Sequence, residues 1–241
     1  MKKEEKRTDK TSKRLMRIIK TNLKKISTAE INSVVDYLRR GKVVVYPTDT
    51  IYGIGCVATN KKAINRVYKI KKRNRESPLL VLVSSLAMAK RYCYISKKQE
   101  EYLRKVWARG MKLKSDFGYP KSDFGRRPVS VILRSRGVLP KELTGGGDNL
   151  AVRLPNSRLL VKIIRQVNAP IVSTSLNISG RKNLANVSKI EQYFKSPKQP
   201  FVKKRDNEKL PDLVVDAGEI KGKPSKLIDL TDINNILVIR N

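Results

Sequence analysis

Short apolar runs alternate with amphipathic helical patterns along most of this 241-residue chain, and this alternation constrains the fold more than any other feature. The runs that we predict to be strands span residues 43–46, 79–83, 129–133, 150–154, 171–173, 213–215, 227–230 and 236–239. The predicted helices span residues 27–40, 61–70, 84–90, 96–107, 157–167 and 188–194. Strands that alternate with helices predict an α/β sheet with helices packed on its faces. The close spacing of the last strands predicts an antiparallel edge.

Capping signals mark the ends of two of these helices. Ser27 and Glu30 have the spacing of a capping box, and Gly41 stands where a helix C-cap belongs. Ser96 and Gln99 have the same capping-box spacing. These signals predict where the helices 27–40 and 96–107 begin, independently of their apolar periodicity.

The charge balance is strongly basic. The chain has 54 Lys and Arg residues against 21 Asp and Glu residues, a formal net charge of +33. A field of this sign attracts polyanions and indicates tRNA or another RNA as a partner, although a lysine-rich proteome would produce such a surface without that role. We predict that residues 1–25 form a basic, flexible arm that contacts RNA phosphates, or else a solvated tail. Its apolar residues have helical spacing: Leu15, Met16, Ile18, Ile19 and Leu23.

The scarcity of cysteine and histidine excludes several kinds of site. Only Cys56 and Cys93 occur, and there is no histidine, so a disulfide framework, a cysteine–histidine zinc site and a histidine-dependent triad are excluded. The sequence has neither a Walker P-loop nor a GxGxxG fingerprint. No apolar run approaches the ~20 residues of a membrane span, and the N-terminus lacks the apolar centre of a signal peptide. We therefore expect a soluble cytoplasmic protein with no metal site of its own and no membrane partner.

The stretch 43–56, VVVYPTDTIYGIGC, joins a buried strand to a polar loop. Pro47 ends the strand because it cannot donate to a sheet ladder. Thr48, Asp49 and Thr50 follow it. A polar loop after a strand is where open α/β sheets bind ligands, but an ordinary hairpin connection would have a similar sequence. Both interpretations stay open from this stretch alone.

Two further segments offer donors to anions. Lys71 and Arg73 lie just before the strand 79–83, where a lysine point charge and an arginine fork can converge on phosphates. The segment 173–180, STSLNISG, places hydroxyls, an amide and backbone N–H groups in one tight turn that resembles an anion-binding nest. Arg153 stands inside an apolar strand, where an unpaired guanidinium would be very costly. It therefore binds a carboxylate ligand, forms an internal ion pair or lies on an exposed sheet face.

Two polar segments interrupt the pattern of strands and helices. Residues 114–118 and 121–125 both read KSDFG, and we predict that residues 109–127 form a surface loop insertion. Residues 195–212 are rich in Pro and Lys and are predicted to be a linker within the domain. Residues 26–241 are otherwise predicted to fold as one domain.

Four ordered motifs and a closing segment carry a family resemblance. They are Pro47–Gly55 for a PT(E/D)TxYGLG loop, Lys71-x-Arg73 with Pro78-Leu79 for a KxR…PL segment, Ala151–Pro155 for an AVRxP strand, Ser173–Gly180 for an S(A)NxSG loop, and Asp216–Gly218 with Pro224-Ser225 for a closing DxG…pST segment. In this order they resemble the YrdC family of threonylcarbamoyl-AMP synthases, over about residues 27 to 240. The resemblance implies a YrdC-like twisted, mixed open sheet with helices packed on its faces, in the single-domain form.

The resemblance also implies an enzyme, a nucleotidyltransferase. L-Threonine and bicarbonate would form a carbamate that attacks the α-phosphate of ATP, with Mg²⁺ assisting. Pyrophosphate would leave, and threonylcarbamoyl-AMP would serve the t6A modification of tRNA together with t6A transferase proteins. The residues implied are Thr50, Arg153 and Ser173 for L-threonine, and Lys71, Arg73, Ser77, Ser175, Asn177 and Ser225 for ATP, of which Lys71, Arg73, Ser175 and Asn177 form the catalytic group.

The chain departs from the family pattern before the strand 129–133. Trp107 is followed by Ala108-Arg109-Gly110 and the repeat, and the family's PGPLT pattern returns only at Pro128-Val129-Ser130. The alternative function is a YrdC-like RNA-binding paralogue, acting on tRNA or in ribosome assembly, without synthase activity. The intact KxR and SxN pairs favour the enzyme, because an RNA-binding protein has no need of two ATP-shaped loops.

Overall fold

Two mixed β-sheets with helices on their faces make up the part of the protein that the structure, a computed structural model, describes: residues 16–23, 25–108, 127–194 and 208–241. The KSDFG repeat and nearly all of the predicted insertion lie outside these ranges, as do residues 1–15 of the predicted arm and 195–207 of the predicted linker. In chain order the elements are β1 Arg17–Lys20, α1 Thr28–Arg39, β2 Val44–Tyr46, β3 Gly53–Gly55, α2 Lys61–Lys71, β4 Val81–Leu82, α3 Leu86–Tyr92, α4 Lys97–Ala108, β5 Val129–Arg134, a 3-10 turn Lys141–Leu143, β6 Asn149–Arg153, α5 Arg158–Val167, β7 Ile171–Val172, β8 Thr174–Ser175, α6 Ile190–Phe194, β9 Leu213–Asp216, β10 Lys226–Asp229 and β11 Leu237–Arg240.

The predicted mixed, open α/β architecture is confirmed, with the strands divided between two sheets. The first has the order β1-β9-β2-β3-β8 and the second the order β11-β10-β5-β6-β4-β7. The chain passes from one sheet to the other at the end of the predicted strand 171–173. Ile171 and Val172 pair in the second sheet, whereas Thr174 and Ser175, just after them, pair in the first. An isolated bridge from Val57 to Ile171 joins the two sheets. The predicted antiparallel edge is confirmed, since β11 pairs antiparallel with β10 at the end of the second sheet.

Strand directions bring functional loops to one edge of each sheet. In the first sheet β2 and β9 are parallel, so that their carboxyl ends lie side by side. In the second sheet β5 runs parallel to β10 but antiparallel to β6, and β4 runs parallel to β6. The carboxyl ends of β4 and β6 therefore lie at the same edge as the amino ends of β5 and β10.

Local sequence signals explain the first helix. Ser27 Oγ accepts the N–H of Glu30 at 3.2 Å, and Glu30 Oε2 accepts the N–H of Ser27 at 2.7 Å, so the predicted capping box is confirmed. Gly41 follows the helix with a φ of 69°, a left-handed conformation that glycine adopts without strain. Helix α1 packs against β2 and α5. The side chains that it buries are Ile31, Val34, Val35 and Leu38.

Helix α2 places the predicted KxR segment. Asn60 caps its start by accepting the N–H of Ala63 at 3.0 Å. Its apolar face, including Ile64 and Val67, is buried. The helix extends one residue beyond the predicted range and ends at Lys71, after which Lys72 takes a left-handed conformation. The end of α2 thus turns the chain toward the loop that precedes β4.

The helical pattern predicted across residues 15–23 is wrong for Arg17–Lys20, which forms the edge strand β1. It pairs parallel with β9, residue 17 opposite Leu213 and residue 20 opposite Asp216. The sheet edge overrides the apolar spacing, because pairing satisfies the backbone groups of β9 that a helix would leave open.

The end of the predicted linker belongs to the core. Asp212 is 8% exposed, pairs with Arg66 and accepts the backbone N–H of Val43 at 2.8 Å. Helix α6 is also shorter than predicted, beginning at Ile190 rather than at residue 188. Within the described ranges, no helix is long and apolar enough to cross a membrane.

Candidate functional site

The predicted site residues lie where two sheet edges meet. One edge is at the carboxyl ends of β2 and β9, and the other is at the carboxyl ends of β4 and β6. The segment 47–52 connects β2 to β3 as a hairpin, with Tyr46 opposite Gly53. The hairpin interpretation of this stretch is therefore correct. The connection still lies beyond the carboxyl end of β2, so the ligand-loop interpretation is compatible with the same geometry.

Thr48 shapes this connection from within. Its Oγ1 accepts the N–H groups of Thr50 and Ile51 at 3.0 and 3.2 Å and lies 2.9 Å from Thr50 Oγ1. The hydroxyl of Tyr52 donates to Gly218 O and accepts the N–H of Ala217, both at 2.8 Å. The closing DxG segment therefore lies against the loop.

Arg153 stands at the carboxyl end of β6 and points into this loop. It is 5% exposed and forms an ion pair with Asp49. Its Nη1 lies 3.4 Å from Thr50 Oγ1, and Asp49 Oδ2 accepts the N–H of Asn156 at 2.9 Å. The internal ion pair is thus the one of the three alternatives for Arg153 that the structure shows.

The Arg153 guanidinium keeps an unused donor. Its Nε is buried and has no hydrogen-bond partner among the described residues. Burial lowers the pKa of Arg153, and the charge of Asp49 opposes that change. An unsatisfied buried N–H of a cation is costly. A carboxylate ligand at this position would satisfy it.

Tyr46 links Ser173 to the Arg153 side of the site. Its hydroxyl donates to Val172 O at 2.7 Å. Burial raises the pKa of Tyr46 above its ordinary value, while a hydrogen bond with the Ser173 side chain and the charge of Arg153 act in the opposite direction. The structure therefore brings together Thr50, Arg153 and Ser173, the three residues that were predicted to bind L-threonine. Tyr46 was missed in the sequence because it ends an apolar run.

Lys71 is the centre of a second group. Its side chain is 1% exposed. The ammonium donates to Ser175 O at 2.5 Å, to Asn177 O at 2.9 Å and to Asn177 Oδ1 at 2.8 Å. Asn177 Oδ1 also accepts the Ser175 hydroxyl at 2.7 Å. The predicted KxR and SxN segments are thus in direct contact, across more than 100 residues of sequence.

All three partners of the Lys71 ammonium are neutral oxygens. Burial and, to a smaller extent, the nearby charge of Arg73 lower the pKa of Lys71 to about 7. Within the described ranges no carboxylate forms an ion pair with it. The protein itself therefore compensates the charged form of this lysine poorly, and an anion would stabilise that form.

Arg73 and Ser77 lie beside this group in the loop after α2. Arg73 Nη2 donates to Pro78 O at 3.0 Å and Nε to Ser77 O at 3.4 Å. Ser77 O also accepts the hydroxyl of Tyr68 at 2.8 Å. The guanidinium of Arg73 thus orders the loop, and its half-buried side chain is close enough to Lys71 for its charge to act there.

Ser225 belongs to a third group at the amino ends of β5 and β10. It is 4% exposed, and its Oγ lies 2.7 Å from Ser130 Oγ. Arg240 donates from Nε and Nη2 to Ser225 O at 3.1 and 2.9 Å. Arg127 Nη2 donates to Pro224 O at 2.6 Å. No motif in the sequence pointed to Ser130, Arg127 or Arg240 as members of this group. The return of the family pattern at Pro128-Val129-Ser130 was the one available signal.

A dedicated metal site is not found in the described ranges. No three Cys, Asp or Glu side chains are close enough there to hold an ion together. The carboxylate of Asp49, which faces the site, is engaged by Arg153 and by the Asn156 N–H.

Comparison with known families agrees with this architecture. The Sua5_yciO_yrdC family model, which is described as telomere recombination, matches residues 36–241. A threonylcarbamoyl-AMP synthase of Pyrococcus abyssi is 26% identical over 224 residues, which are 92% of this chain and 57% of that protein. A putative threonylcarbamoyl-AMP synthase of Methanocaldococcus jannaschii is 28% identical over 221 residues, 89% of this chain and 88% of that protein.

Solved structures share the fold. P. abyssi Sua5 in complex with L-threonine has a TM-score of 0.69 at 26% identity, covering 90% of this chain and 55% of that one. E. coli YciO has a TM-score of 0.71 at 21% identity, covering 94% and 95% of the two chains. The chain spans little more than half the length of the P. abyssi protein. Because the family match runs from helix α1 to the last residue, the protein belongs to the Sua5–YciO–YrdC family.

Proposed function

We propose that the protein is a threonylcarbamoyl-AMP synthase, which makes threonylcarbamoyl-AMP and pyrophosphate from L-threonine, bicarbonate and ATP. The observation that carries the proposal is the pairing of two cationic groups at one place in the fold. Arg153 with Thr50 forms one group, and Lys71 with the Ser175–Asn177 loop forms the other. An amino acid carboxylate and a polyphosphate need such separate sets of donors. Relatives that cover most of the chain bear the same activity in their names.

The Arg153 group would bind L-threonine. The unused Nε of Arg153 and the hydroxyl of Thr50 would donate to its carboxylate. Ser173 would line the same pocket beside Tyr46. The relative Sua5 of P. abyssi has been solved with L-threonine bound, which supports an amino acid as the ligand of this fold.

The Lys71 group would bind the phosphates of ATP. Lys71 and Arg73 would provide charge, and Ser175 and Asn177 would provide short-range hydrogen bonds. When the carbamate oxygen attacks the α-phosphorus, the bond to the departing pyrophosphate breaks and negative charge accumulates on that leaving group. Donors fixed in advance by a buried loop stabilise this charge without reorganisation.

Mg²⁺ fits this site as a companion of ATP rather than as a resident ion. The described residues contain no cluster of acidic ligands, and Mg²⁺ in such enzymes is held largely by substrate phosphates and water. When bound, it neutralises phosphate charge. The residues named above bind, orient and desolvate the reactants, which accounts for much of nucleotidyl transfer.

The net charge of +33 supports a further contact of the protein with tRNA, the ultimate acceptor of the threonylcarbamoyl group. We propose that this contact, t6A transferase partners and a cytoplasmic location accompany the synthase activity. The salt dependence of tRNA binding, compared between the full chain and a chain without residues 1–15, would measure how much the N-terminal charge contributes.

Pyrophosphate release by the purified protein tests the activity. With ATP and Mg²⁺ present, we expect release that requires both L-threonine and bicarbonate, and loss of that release in Arg153→Gln. Arg134→Gln, an exposed arginine on β5, is the matched control and should retain it. Threonine-independent release, or none from folded protein, would contradict the synthase and favour an RNA-binding paralogue.

A further inference from the structure

Two arginines flank Pro224 and the buried Ser225 at the edge where the site lies. Arg240, from β11, contacts Ser225 O through Nε and Nη2, and its Nη2 lies 3.4 Å from Ser225 Oγ. Arg127 reaches Pro224 O from the residue pair that precedes β5. The two side chains therefore contact adjacent residues, one from a position earlier in the chain and the other from a position later in it.

These arginines have no carboxylate partner within the described ranges. Arg127 and Arg240 donate only to carbonyl and hydroxyl oxygens in their recorded contacts. The Nε of Arg127 is buried and lacks a hydrogen-bond partner among the described residues. Burial lowers the pKa of Arg240, and the charges of Arg127 and Arg153 lower it further. Asp49 pairs with Arg153 and contacts neither Arg127 nor Arg240 within the described ranges.

Arg240 is exposed and Arg127 is half-buried, so solvent screens part of their charge, but a buried guanidinium N–H without an acceptor is costly. The unused Nε of Arg127 and that of Arg153 are both donors without acceptors. Gly222, two residues before Pro224, packs directly against the Thr50 carbonyl, so an anion bound here would lie beside the pocket proposed for the amino acid.

We propose that Arg127, together with Arg240, contacts the α-phosphate of the nucleotide, the phosphate that stays joined to the amino acid in the product. The inference rests on the proposed function. In threonylcarbamoyl-AMP the threonine part and this phosphate are covalently linked, so their subsites must adjoin. The pyrophosphate has to leave and is matched by the separate Lys71 group. Arg127 lies outside every motif that carried the family resemblance.

Binding of AMP and of pyrophosphate, measured by calorimetry on the full chain, separates the two subsites. AMP carries the α-phosphate and pyrophosphate does not. We expect Arg127→Gln to weaken AMP binding about tenfold, the usual effect of losing one charge-assisted hydrogen bond, and to change pyrophosphate binding less than about twofold. Arg127→Lys should retain part of the AMP affinity. Arg134→Gln, which removes an exposed arginine at the far end of β5, is the control and should change neither affinity.

A structural role for Arg127 predicts a different result. If the side chain only anchors Pro224, both affinities and the melting temperature would fall together in Arg127→Gln, and this outcome overturns the proposal. Unchanged AMP affinity in a folded variant overturns it as well. Should Arg127→Gln fail to fold, the ratio of AMP to pyrophosphate affinity in Arg127→Lys decides. Because neither ligand requires turnover, wild-type protein that binds AMP through Arg127 but releases no pyrophosphate would refute the synthase and not the subsite.

Discussion

Pyrophosphate binding should place a proton on Lys71. The ammonium is buried among neutral oxygens, and its pKa is lowered from 10.5 to about 7. Each pKa unit corresponds to about 1.4 kcal/mol, so keeping this group charged in the folded protein costs on the order of 5 kcal/mol. At about pH 8 a group with this pKa is roughly 90% neutral. A polyphosphate beside the ammonium would favour the charged form and raise the pKa again.

Calorimetry in buffers of different ionisation enthalpy measures this uptake. At about pH 8 we expect the wild-type protein to bind more protons per pyrophosphate than Lys71→Met does, with a maximum difference of roughly 0.9 proton. The pyrophosphate's own protonation is common to both proteins and cancels. Lys62→Met removes an exposed lysine from the same helix and should behave as wild type. Arg73→Gln should reduce the uptake, because the charge of Arg73 helps to lower the pKa of Lys71.

The same group predicts the pH dependence of stability. The folded pKa of Lys71 lies below its unfolded value, so between about pH 7 and 10 the unfolded chain holds the proton more often. The free energy of unfolding should therefore rise with pH there, by up to about 1.4 kcal/mol per pH unit relative to Lys71→Met. Cys56, whose pKa is raised by burial, acts in the opposite direction but only above about pH 9. Equal proton uptake by wild type and Lys71→Met, together with parallel stability curves between pH 7 and 9, would refute the reasoning.

Three further predictions follow from contacts near the site and at the first helix. A side chain at Gly222 would overlap the backbone oxygen of Thr50, so Gly222→Ala should raise the KM for L-threonine several-fold. The control is Gly147→Ala, whose Cβ would make an ordinary contact at 3.6 Å and should leave the KM unchanged. Equal KM values for the two variants would contradict this packing. Asp49→Asn leaves the Arg153 charge buried without its carboxylate, and urea unfolding should show a loss of about 3–5 kcal/mol; a loss below about 1 kcal/mol would show that solvent reaches the guanidinium. Ser27→Ala removes the cap of α1 and should cost about 1 kcal/mol in the same assay, with unchanged pyrophosphate release.

Much of the fold could be predicted because its causes are local. The capping box at Ser27, the apolar stripe of α1 and the strand that ends at Tyr46 depend on residues within a few positions of one another. The failures have causes distant in sequence. Arg17–Lys20 forms a strand because β9, almost 200 residues later, offers an open edge. The division into two sheets at Ser173 likewise depends on pairing partners that no local pattern identifies.

The site divides in the same way. Lys71, Arg73, Thr50, Arg153, Ser173, Ser175 and Asn177 could be selected because their loops resemble family motifs, and the structure places them in two groups at one meeting of sheet edges. Ser77 orders the loop beside Lys71 through its carbonyl, and Ser225 lies in the third group with Ser130. Arg127 and Arg240 could not be selected, since one borders an insertion and the other ends an ordinary apolar strand.

The sequence by itself determined the α/β class, the positions of the main helices and strands, and the absence of histidine or disulfide chemistry, because periodicity, capping and composition act over short distances or over none. Tertiary structure decided which charges meet. Arg153 contacts Asp49 across 104 residues, Lys71 contacts Asn177 across 106, and Ser130 contacts Ser225 across 95. The lowered pKa of Lys71 arises only when burial removes water from groups that the sequence keeps far apart.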